Sequence, residues 1–365
     1  MRIVVAMSGG VDSSVAAGLL LEAGHDVIGV HMKLHDSPAV SSSAPGHCCG
    51  LDDALDARRV AARLGFPFYV MDLTEPFKRA VMDDFVAGYL RGETPNPCVR
   101  CNGVLKFDIL LARAGVLGAD ALATGHYART DGQRLYAATD PAKDQSYFLF
   151  PLRASVLSRV RFPLGGLTKP EVRAHAARMG LGTAQKPESM EVCFVADDDH
   201  TRFVHEAAPD VDAAGEIVDE AGRVLGRHEG YYRYTVGQRR GLGLGTGTPL
   251  YVLRVEAATR RVVVGEASRL LATTARLHGV NWLRRPAPEE AVHVRIRHRG
   301  ALIPCRLALG SDEPTRIDLD LMAPARAVTP GQAAVLYAGD EVLGGGWIQR
   351  DAPAVRAVAT PEVVL

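Results

Sequence analysis

The chain carries no excess of charge in either direction: 42 lysines and arginines stand against 42 aspartates and glutamates. Its overall field therefore cannot grip nucleic acid or an anionic membrane, and only local clusters could serve that end. It has no run of about 18 apolar residues, so a membrane-spanning helix is not expected. The N-terminus, MRIVVAMSGG, reaches glycines after seven residues, too soon for a secretory apolar region. Cysteine is scarce, with six in 365 residues: Cys48, Cys49, Cys98, Cys101, Cys193 and Cys305. That is too sparse for a disulfide framework. These shortages leave a soluble, cytoplasmic chain as the expectation. Its 47% hydrophobic content suffices for two or three domains with real cores.

What is present is alternation. Ile3 to Met7 is a short apolar run ending at two glycines, and reads as a buried parallel strand. Ser13 to Ala23 follows as a helix with Val15, Leu19 and Leu20 inward and Gly24 closing it. A second strand (Val27 to Met32), a second helix (Ala54, Ala57, Ala61 and Leu64, closed by Gly65) and a third strand (Phe68 to Met71) continue the pattern. Phe77, Val81, Phe85 and Tyr89 mark a third helix, and Ala119 to Thr124 a further strand. Thr168 and Glu171 predict a capping box, with Pro170 in the first turn of the helix. Such alternation predicts an α/β domain whose parallel sheet is covered on both faces. The Ser-, Pro- and Ala-rich stretch Ala39 to Gly46 reads as a mobile loop. Beyond about residue 210 the helical stripes vanish. Short alternating runs such as Leu250 to Val255, Val262 to Val264 and Ala333 to Tyr337 predict small β-domains, the last a barrel. The expected division is 1–208 for the α/β domain, 209–272 for a small β-rich middle, and 273–365 for the barrel.

The first strand runs into Ser8-Gly9-Gly10-Val11-Asp12-Ser13-Ser14. A strand, a Gly-Gly turn and a helix start in succession present backbone N–H groups and the positive end of a helix dipole, which suit a phosphate. Asp12 would repel phosphate unless it binds Mg²⁺ or a hydroxyl, which points to a metal-bridged nucleotide. The glycines alone would be an ordinary turn, and the GxxxxGK[ST] pattern of a Walker loop is missing. The full string is similar to the PP-loop of the ATP pyrophosphatase superfamily. That resemblance implies cleavage of ATP between the α- and β-phosphates, with AMP passed to a substrate oxygen.

Thr94-Pro95-Asn96-Pro97-Cys98-Val99-Arg100-Cys101-Asn102 carries two thiols three residues apart. At the start of a helix beginning near Asn102, Cys101 would have a lowered pKa, with Arg100 adding to the effect. A zinc-binding or buried structural pair is the other reading, but zinc normally needs four ligands and the sequence has no second CxxC. Cys193 stands in Ser189-Met190-Glu191-Val192-Cys193-Phe194 and by itself looks like a core thiol. Further on, Arg276, Arg284, Arg285, Arg295, Arg297, Arg299 and Arg306 cluster with only Glu289 and Glu290 for balance. Alternation from Val294 to Arg299 predicts a strand with Val294 and Ile296 on one face and Arg295, Arg297 and Arg299 offered to phosphates on the other. Arg239 and Arg240, among glycines, would make a further clamp.

SGGVDSS, NPCxxCN, TGHYAR (Thr124 to Arg129), KDQSYFL (Lys143 to Leu149), the Cys193 segment and YTVGQRRGLG (Tyr234 to Gly243) follow one another in that order. Together they closely resemble the tRNA-specific 2-thiouridylases of bacteria, from residue 1 to about 350. The resemblance implies a Rossmann-like (HUP/PP-loop) catalytic domain, a small central domain and a tRNA-contacting C-terminal β-barrel. It implies formation of 2-thiouridine at the wobble position of tRNAs, those for Lys, Glu and Gln, with ATP and Mg²⁺. ATP would meet Ala6, Met7, Ser8, Gly9, Gly10, Val11, Asp12 and Ser13, then Met32 and Gly125, at strand ends where open α/β sheets bind ligands. Cys193 would carry a persulfide received from a sulfur-relay protein or cysteine desulfurase, and Cys101 would be the partner nucleophile. The exchange would end in a Cys101–Cys193 disulfide or in release of sulfide. Gln185 to Met190, with Pro187, would be the segment that carries Cys193 to the base.

The same resemblance places the target base at Asn96, Pro97 and Cys98, and tRNA contacts at His126, Lys143, Asp144, Gln145, Arg297, His298 and Gln332. Two departures stand out. An aromatic residue is usual where this chain has His298, and many members have an acidic residue where it has Cys98. Cys98 opens a second chemistry, in which Cys98, Cys101 and Cys193 ligate an iron–sulfur cluster that leaves one iron open to sulfide. A small-molecule ligase of the same superfamily would need neither the paired cysteines nor a basic β-domain. A tRNA-binding module with a vestigial loop would not need the intact Asp12, Ser13 and Ser14.

Overall fold

The computed structural model describes residues 1–35, 51–187, 192–245, 247–309 and 315–349. The expected loop at Ala39 to Gly46, and Cys48 and Cys49, lie outside them. The chain opens with strand β1 (Arg2–Ala6), helix α1 (Val11–Glu22), strand β2 (Asp26–Lys33), helix α2 (Leu51–Leu64) and strand β3 (Phe68–Asp72). Alternate β1 residues feed two cores: Ile3 and Val5 pack with α1, and Val4 and Ala6 pack on the opposite face. Helices α3 (Thr74–Phe77) and α4 (Asp83–Leu90) are joined into one rod by a π-helical turn over Lys78–Met82. Its apolar residues recur every fourth position, and such a stripe drifts by roughly 40° per step around an α-helix of 3.6 residues per turn. The wider π turn takes up that drift, and Phe77, Val81, Phe85 and Tyr89 all stay buried.

A second rod begins with α5 (Pro97–Arg100), continues through π-helical turns over Cys101–Leu110 and ends with α6 (Leu111–Val116). Strand β4 (Ala121–Thr124) then enters the sheet, and a hairpin of β5 (Ala128–Thr130) and β6 (Leu135–Ala137) leaves it. Strand β7 (Val160–Arg161) completes a parallel sheet of order β3-β2-β1-β4-β7. Helix α7 (Lys169–Arg178) starts on the expected capping box, Thr168 and Glu171 bonding reciprocally. Helix α8 (His200–Ala207) leads to a middle sheet of β8 (Gly215–Val218), β9 (Val224–His228), β10 (Tyr251–Glu256) and β11 (Arg261–Gly265), in the order β10-β11-β8-β9.

The expected barrel is present and closed. Strands β12 (Leu271–Trp282), β13 (Val292–Arg295), β14 (Ile303–Leu309), β15 (Ile317–Arg326), β16 (Ala333–Ala338) and β17 (Glu341–Ile348) run in the order β12-β15-β14-β13-β16-β17, and β17 pairs back onto β12. Closure leaves few backbone groups at open edges. The first residues of β17 instead accept the α/β domain's hairpin, Glu341 opposite Tyr136 and Val342 opposite Leu135. Val335, Tyr337 and Val342 share one core with Leu149 and Phe150. Asn281 Nδ2 donates to the carbonyls of Phe150 (2.6 Å) and Leu152 (2.7 Å), and Tyr147 OH donates to Ala333 O at 2.9 Å. No helix among the described residues is long and apolar enough to cross a membrane.

The expected basic strand face does not form. β13 ends at Arg295, and the chain turns at 297–299, with Arg299 at φ 60°. Arg295 faces the α/β domain, and its Nη1 donates to Asp144 Oδ2 at 2.9 Å, while its guanidinium lies 5.1 Å from the ring centre of Tyr337 in β16. Arg276 is paired with Asp318, and Arg284 with both Glu290 and Glu341. Three of the seven clustered arginines, Arg276, Arg284 and Arg295, thus meet acids distant in sequence: Asp318, Glu341 and Asp144. Arg297, Arg239 and Arg240 are exposed.

The Asp144–Arg295 pair is withdrawn from water, with side-chain exposures of 5% and 18%. Asp144 Oδ1 also accepts the backbone N–H groups of Ala138 and Ser146, each at 3.1 Å. Removing one partner of such a pair strands a buried charge, which costs about 3–5 kcal/mol. Arg295→Met is expected to destabilise the protein by that amount. Adding Asp144→Asn, whose amide oxygen still accepts both N–H groups, recovers part of the loss. Trp282 and Trp347 both lie in barrel strands, so their fluorescence in chemical denaturation reports the change. A loss below about 1 kcal/mol in the single variant would show that the pair is not the anchor.

Candidate functional site

The C-terminal ends of β1, β2 and β4 open into a cavity of ≈ 500 Å³. It is walled by the phosphate loop, the start of the second rod, residues 142–148, residues 186–187 and 192–194, and the barrel turn at His298 and Arg299. The expected nucleotide residues Ala6, Met7, Ser8, Gly10, Val11, Asp12, Ser13, Met32 and Gly125 all line it. Gly9 has another task. It stands at φ +74°, and a Cβ there would lie 2.3 Å from the Asp53 carbonyl, so it lets α2 press against the loop. Gly125 packs likewise: a Cβ would lie 2.7 Å from Ser13 N, which would force the first turn of α1 away.

The loop holds its own shape. Ser8 N donates to Ser13 Oγ at 3.1 Å, and Ser14 Oγ donates to Gly10 O at 2.8 Å. Asp12 Oδ1 accepts from Lys169 Nζ (2.7 Å) and Tyr127 OH (2.9 Å), so its repulsion of a phosphate is offset inside the protein. Lys186 Nζ donates to Asp53 Oδ1 and Asp56 Oδ2, both at 2.7 Å, and to Gly9 O at 3.1 Å. Burial alone would lower the Lys186 pKa, but its hydrogen bonds to Asp53 and Asp56 prevail and raise it. A lone lysine carries no local sequence signal, and neither Lys169 nor Lys186 is foreseen by the motifs.

The thiols sit differently from expectation. Asn96 caps the rod, its side chain accepting from Val99 N at 3.4 Å, and Pro97 occupies the first helical position. The helix therefore starts five residues before Asn102. Cys98 lies in its first turn and is exposed, while Cys101 lies one turn in and is half-buried. Arg100 is engaged elsewhere, bonded to Asp84 at 3.2 Å and 4.8 Å from the centre of the Trp347 ring. Cys193 is half-buried and lines the cavity with Cys98 and Cys101. The next residue, Phe194, packs edge-on against Phe77 at 5.6 Å and Phe85 at 5.2 Å. Cys193 is thus beside the core without being buried in it. Residues 188–191 lie outside the described residues, so only part of the expected Gln185 to Met190 carrier is placed. Although the three thiols share the cavity, among the described residues no group of three or more His, Cys, Asp or Glu is set to hold a metal.

Of the residues expected to meet the base, Pro97 and Cys98 line the cavity, and Asn96 is the helix cap. Of those expected to meet RNA, His126, Lys143, Gln145 and His298 line it. His298 packs on Phe148, ring centres 4.5 Å apart, and so does the work of an aromatic residue. Asp144 is buried in its ion pair, and Arg297 is exposed outside the cavity wall. Gln332 Nε2 donates to Thr94 O at 2.8 Å, which holds the barrel beside the cysteine segment. Two further basic residues line the cavity, Lys106 and His31. His31 is buried and bonds Met7 O through Nδ1 at 2.9 Å, and burial lowers its pKa.

Comparison with known proteins covers nearly the whole chain. Residues 1–197 match a family described as tRNA methyl transferase HUP domain, 201–266 a tRNA methyl transferase PRC-barrel domain, and 272–348 an aminomethyltransferase beta-barrel domain. A protein of Geobacter metallireducens named tRNA-specific 2-thiouridylase MnmA is 54% identical over 357 residues, covering 95% of this chain and 96% of its own. The proteins of that name from Geotalea uraniireducens and Rhodospirillum centenum are 52% and 49% identical, covering 95% and 99% of this chain and 95% and 93% of their own.

His126 gives a direct check on the electrostatics of the cavity. Burial first, and the nearby Lys106 ammonium second, hold its pKa well below the usual 6.5. The imidazole is therefore neutral at neutral pH, with Nδ1 2.8 Å from Thr124 Oγ1. Because folding keeps off a proton that the unfolded chain would bind, this group's stability contribution is full above 6.5 and declines as pH falls below it. Lys106→Met is expected to move the His126 titration back towards the usual value, as read by NMR. A wild-type His126 that titrates at the usual value, or one indifferent to Lys106→Met, would contradict this account.

Proposed function

Because this chain belongs to the tRNA-specific 2-thiouridylase family, we propose that it makes 2-thiouridine in tRNA by adenylating the 2-carbonyl oxygen of the wobble uridine and replacing it with sulfur from a cysteine persulfide. The observation that carries this reading is one cavity lined by both a phosphate loop and three thiols. A small-molecule ligase has no use for the thiols.

The chemistry follows from the parts. A carbonyl oxygen is a poor leaving group, and AMP carries it off once attached. The loop's N–H groups and the first turn of α1 hold the phosphates, and Lys169 and Tyr127 keep Asp12 from repelling them. Mg²⁺ travels with the nucleotide. An oxygen-rich site of one carboxylate plus substrate phosphates suits it, and Asp12 is the carboxylate at hand. Uridine is splayed out of the tRNA towards Asn96 to Cys98. The terminal sulfur of a Cys193 persulfide attacks C2 and displaces AMP. Cys101 thiolate then attacks the Cys193 sulfur, which frees the thiouridine and leaves a Cys101–Cys193 disulfide. His126, Lys143, Gln145 and His298 meet the tRNA around the cavity mouth, and Arg297 meets its backbone. Asp144 and Gln332 act behind them by holding the segments in place. The reading extends to tRNAs for Lys, Glu and Gln, to a sulfur-relay protein or cysteine desulfurase as donor, and to a cytoplasmic setting.

Pyrophosphate release from ATP, measured with tRNA or small acceptors and with a persulfide or sulfide donor, tests the proposal. Release that needs tRNA is expected, and release driven by a small acceptor alone would overturn it. Cys101→Ser and Cys193→Ser are each expected to retain tRNA-dependent pyrophosphate release while 2-thiouridine formation falls by at least about 10³-fold. Equal thiolation by sulfide in Cys193→Ser would remove the persulfide step. Arg297→Ala is expected to weaken tRNA binding and to reduce the salt slope by about 1. Unchanged affinity across a salt series would remove Arg297 from the interface.

A further inference from the structure

The proposed reaction ends with Cys101 and Cys193 oxidised, and the cavity contains a third thiol that the reaction does not consume. We propose that Cys98 is the resolving thiol: it attacks the Cys101–Cys193 disulfide at Cys101, and the resulting Cys98–Cys101 disulfide is the form that an external dithiol reduces. This rests on the persulfide reading above.

Exposure sets the direction of the exchange. Cys98 is exposed, whereas Cys101 and Cys193 are half-buried in the cavity wall. A macromolecular reductant reaches a surface sulfur far more readily than a recessed one, so the relay passes the oxidised state outward. Spacing sets the partner. Cys98 and Cys101 are three apart on one helical rod, a separation that places side chains on the same face with Cβ atoms about 5–6 Å apart. A disulfide needs about 3.5–4.5 Å between Cβ atoms, so closure asks for a movement of roughly 1–2 Å. The first turn is the part of a helix best able to give it, because its N–H groups have no intrahelical acceptors to lose. Those same N–H groups favour an attacking anion at Cys98.

The step balances. The Cys101–Cys193 S–S bond breaks and a Cys98–Cys101 S–S bond forms, with no net change in oxidation. Cys98 gives a proton to solvent as it attacks, and Cys193 leaves as a thiolate that takes one up. The dithiol reductant then supplies two electrons and two protons to Cys98–Cys101 and becomes its own disulfide. Cys193 is released in the first of these steps, so it can accept new sulfur before the reductant acts.

The test is a single turnover of persulfide-loaded full-length enzyme with ATP and tRNA, without reductant, followed by alkylation and peptide mass spectrometry. The wild type is expected to yield a Cys98–Cys101 disulfide with Cys193 alkylated. Cys98→Ser is expected to yield Cys101–Cys193, and its steady-state rate with a protein dithiol such as thioredoxin as the reductant is expected to fall at least about tenfold relative to its own first turnover. The fluorescence of Trp282 and Trp347 reports that the variant is folded. A wild type trapped as Cys101–Cys193, or a Cys98→Ser enzyme whose later turnovers match its first, would overturn the relay and leave the persulfide reading intact. No disulfide at Cys101 in either protein would remove that reading, and the relay with it.

Discussion

A carboxylate taken out of water must find its donors inside the protein, and Asp144 finds them on both sides of a domain boundary. Two are backbone N–H groups of its own segment, and the third is Arg295 of the barrel. Its chain neighbours Lys143 and Gln145 line the cavity from one side. A few residues beyond Arg295, His298 and Arg299 line it from the other. The ion pair therefore fixes the spacing between the two walls. The surrounding contacts agree with that placement. The hairpin of β5 and β6 extends the barrel at β17, and Tyr337 and Val342 share a core with Phe150. The barrel is a wall of the site and not a module on a tether.

The phosphate loop shows the same logic at a smaller scale. Its backbone is open to an anion, yet three carboxylates, Asp12, Asp53 and Asp56, stand around it. Each is matched by a lysine ammonium: Lys169 for the first, Lys186 for the other two. Each lysine also ties separate elements together. Lys169 joins the start of α7 to α1, and Lys186 joins α2, the Gly9 carbonyl and the segment that leads to Cys193. Lys106 adds its charge on the cysteine side, where the neutral imidazole of His126 contributes none.

The parts of this arrangement that are local were legible in the sequence. A strand, two glycines and a helix start are contiguous, so the loop and its position at the sheet's end follow from eight or so residues. The capping box at Thr168 and Glu171 is likewise contiguous. The helix start before the cysteines was also written, as Asn96 followed by Pro97, a cap and a first-turn proline. Placing the helix start near Asn102 gave Cys101 the position that Cys98 holds. The arginines failed for a different reason. Asp318, Glu341 and Asp144 are 42, 57 and 151 residues from the arginines they neutralise, and charge counted along a window cannot see them. The β5–β6 hairpin is three residues a strand, too short for an alternation signal, and its partner in the barrel lies some two hundred residues on.

The remaining tension concerns motion. A swinging carrier for Cys193 suits a thiol at the end of a loose segment, but both ends of this segment are held. Lys186 is fixed by three hydrogen bonds, and Phe194 sits among Phe77, Phe85 and Phe203, with ring centres 5.1–5.6 Å away. Cys193 is the immediate neighbour of that aromatic anchor, so moving it far would strip Phe194 of its ring contacts and expose apolar surface now partly buried. Little travel is required if the base comes to the sulfur. Cys101, Cys193 and the loop already share one cavity, and its ≈ 500 Å³ suits a flipped-out base. On this account the tRNA pays the conformational cost through unstacking, and the enzyme keeps its thiols where the walls set by Asp144 and Arg295 leave them.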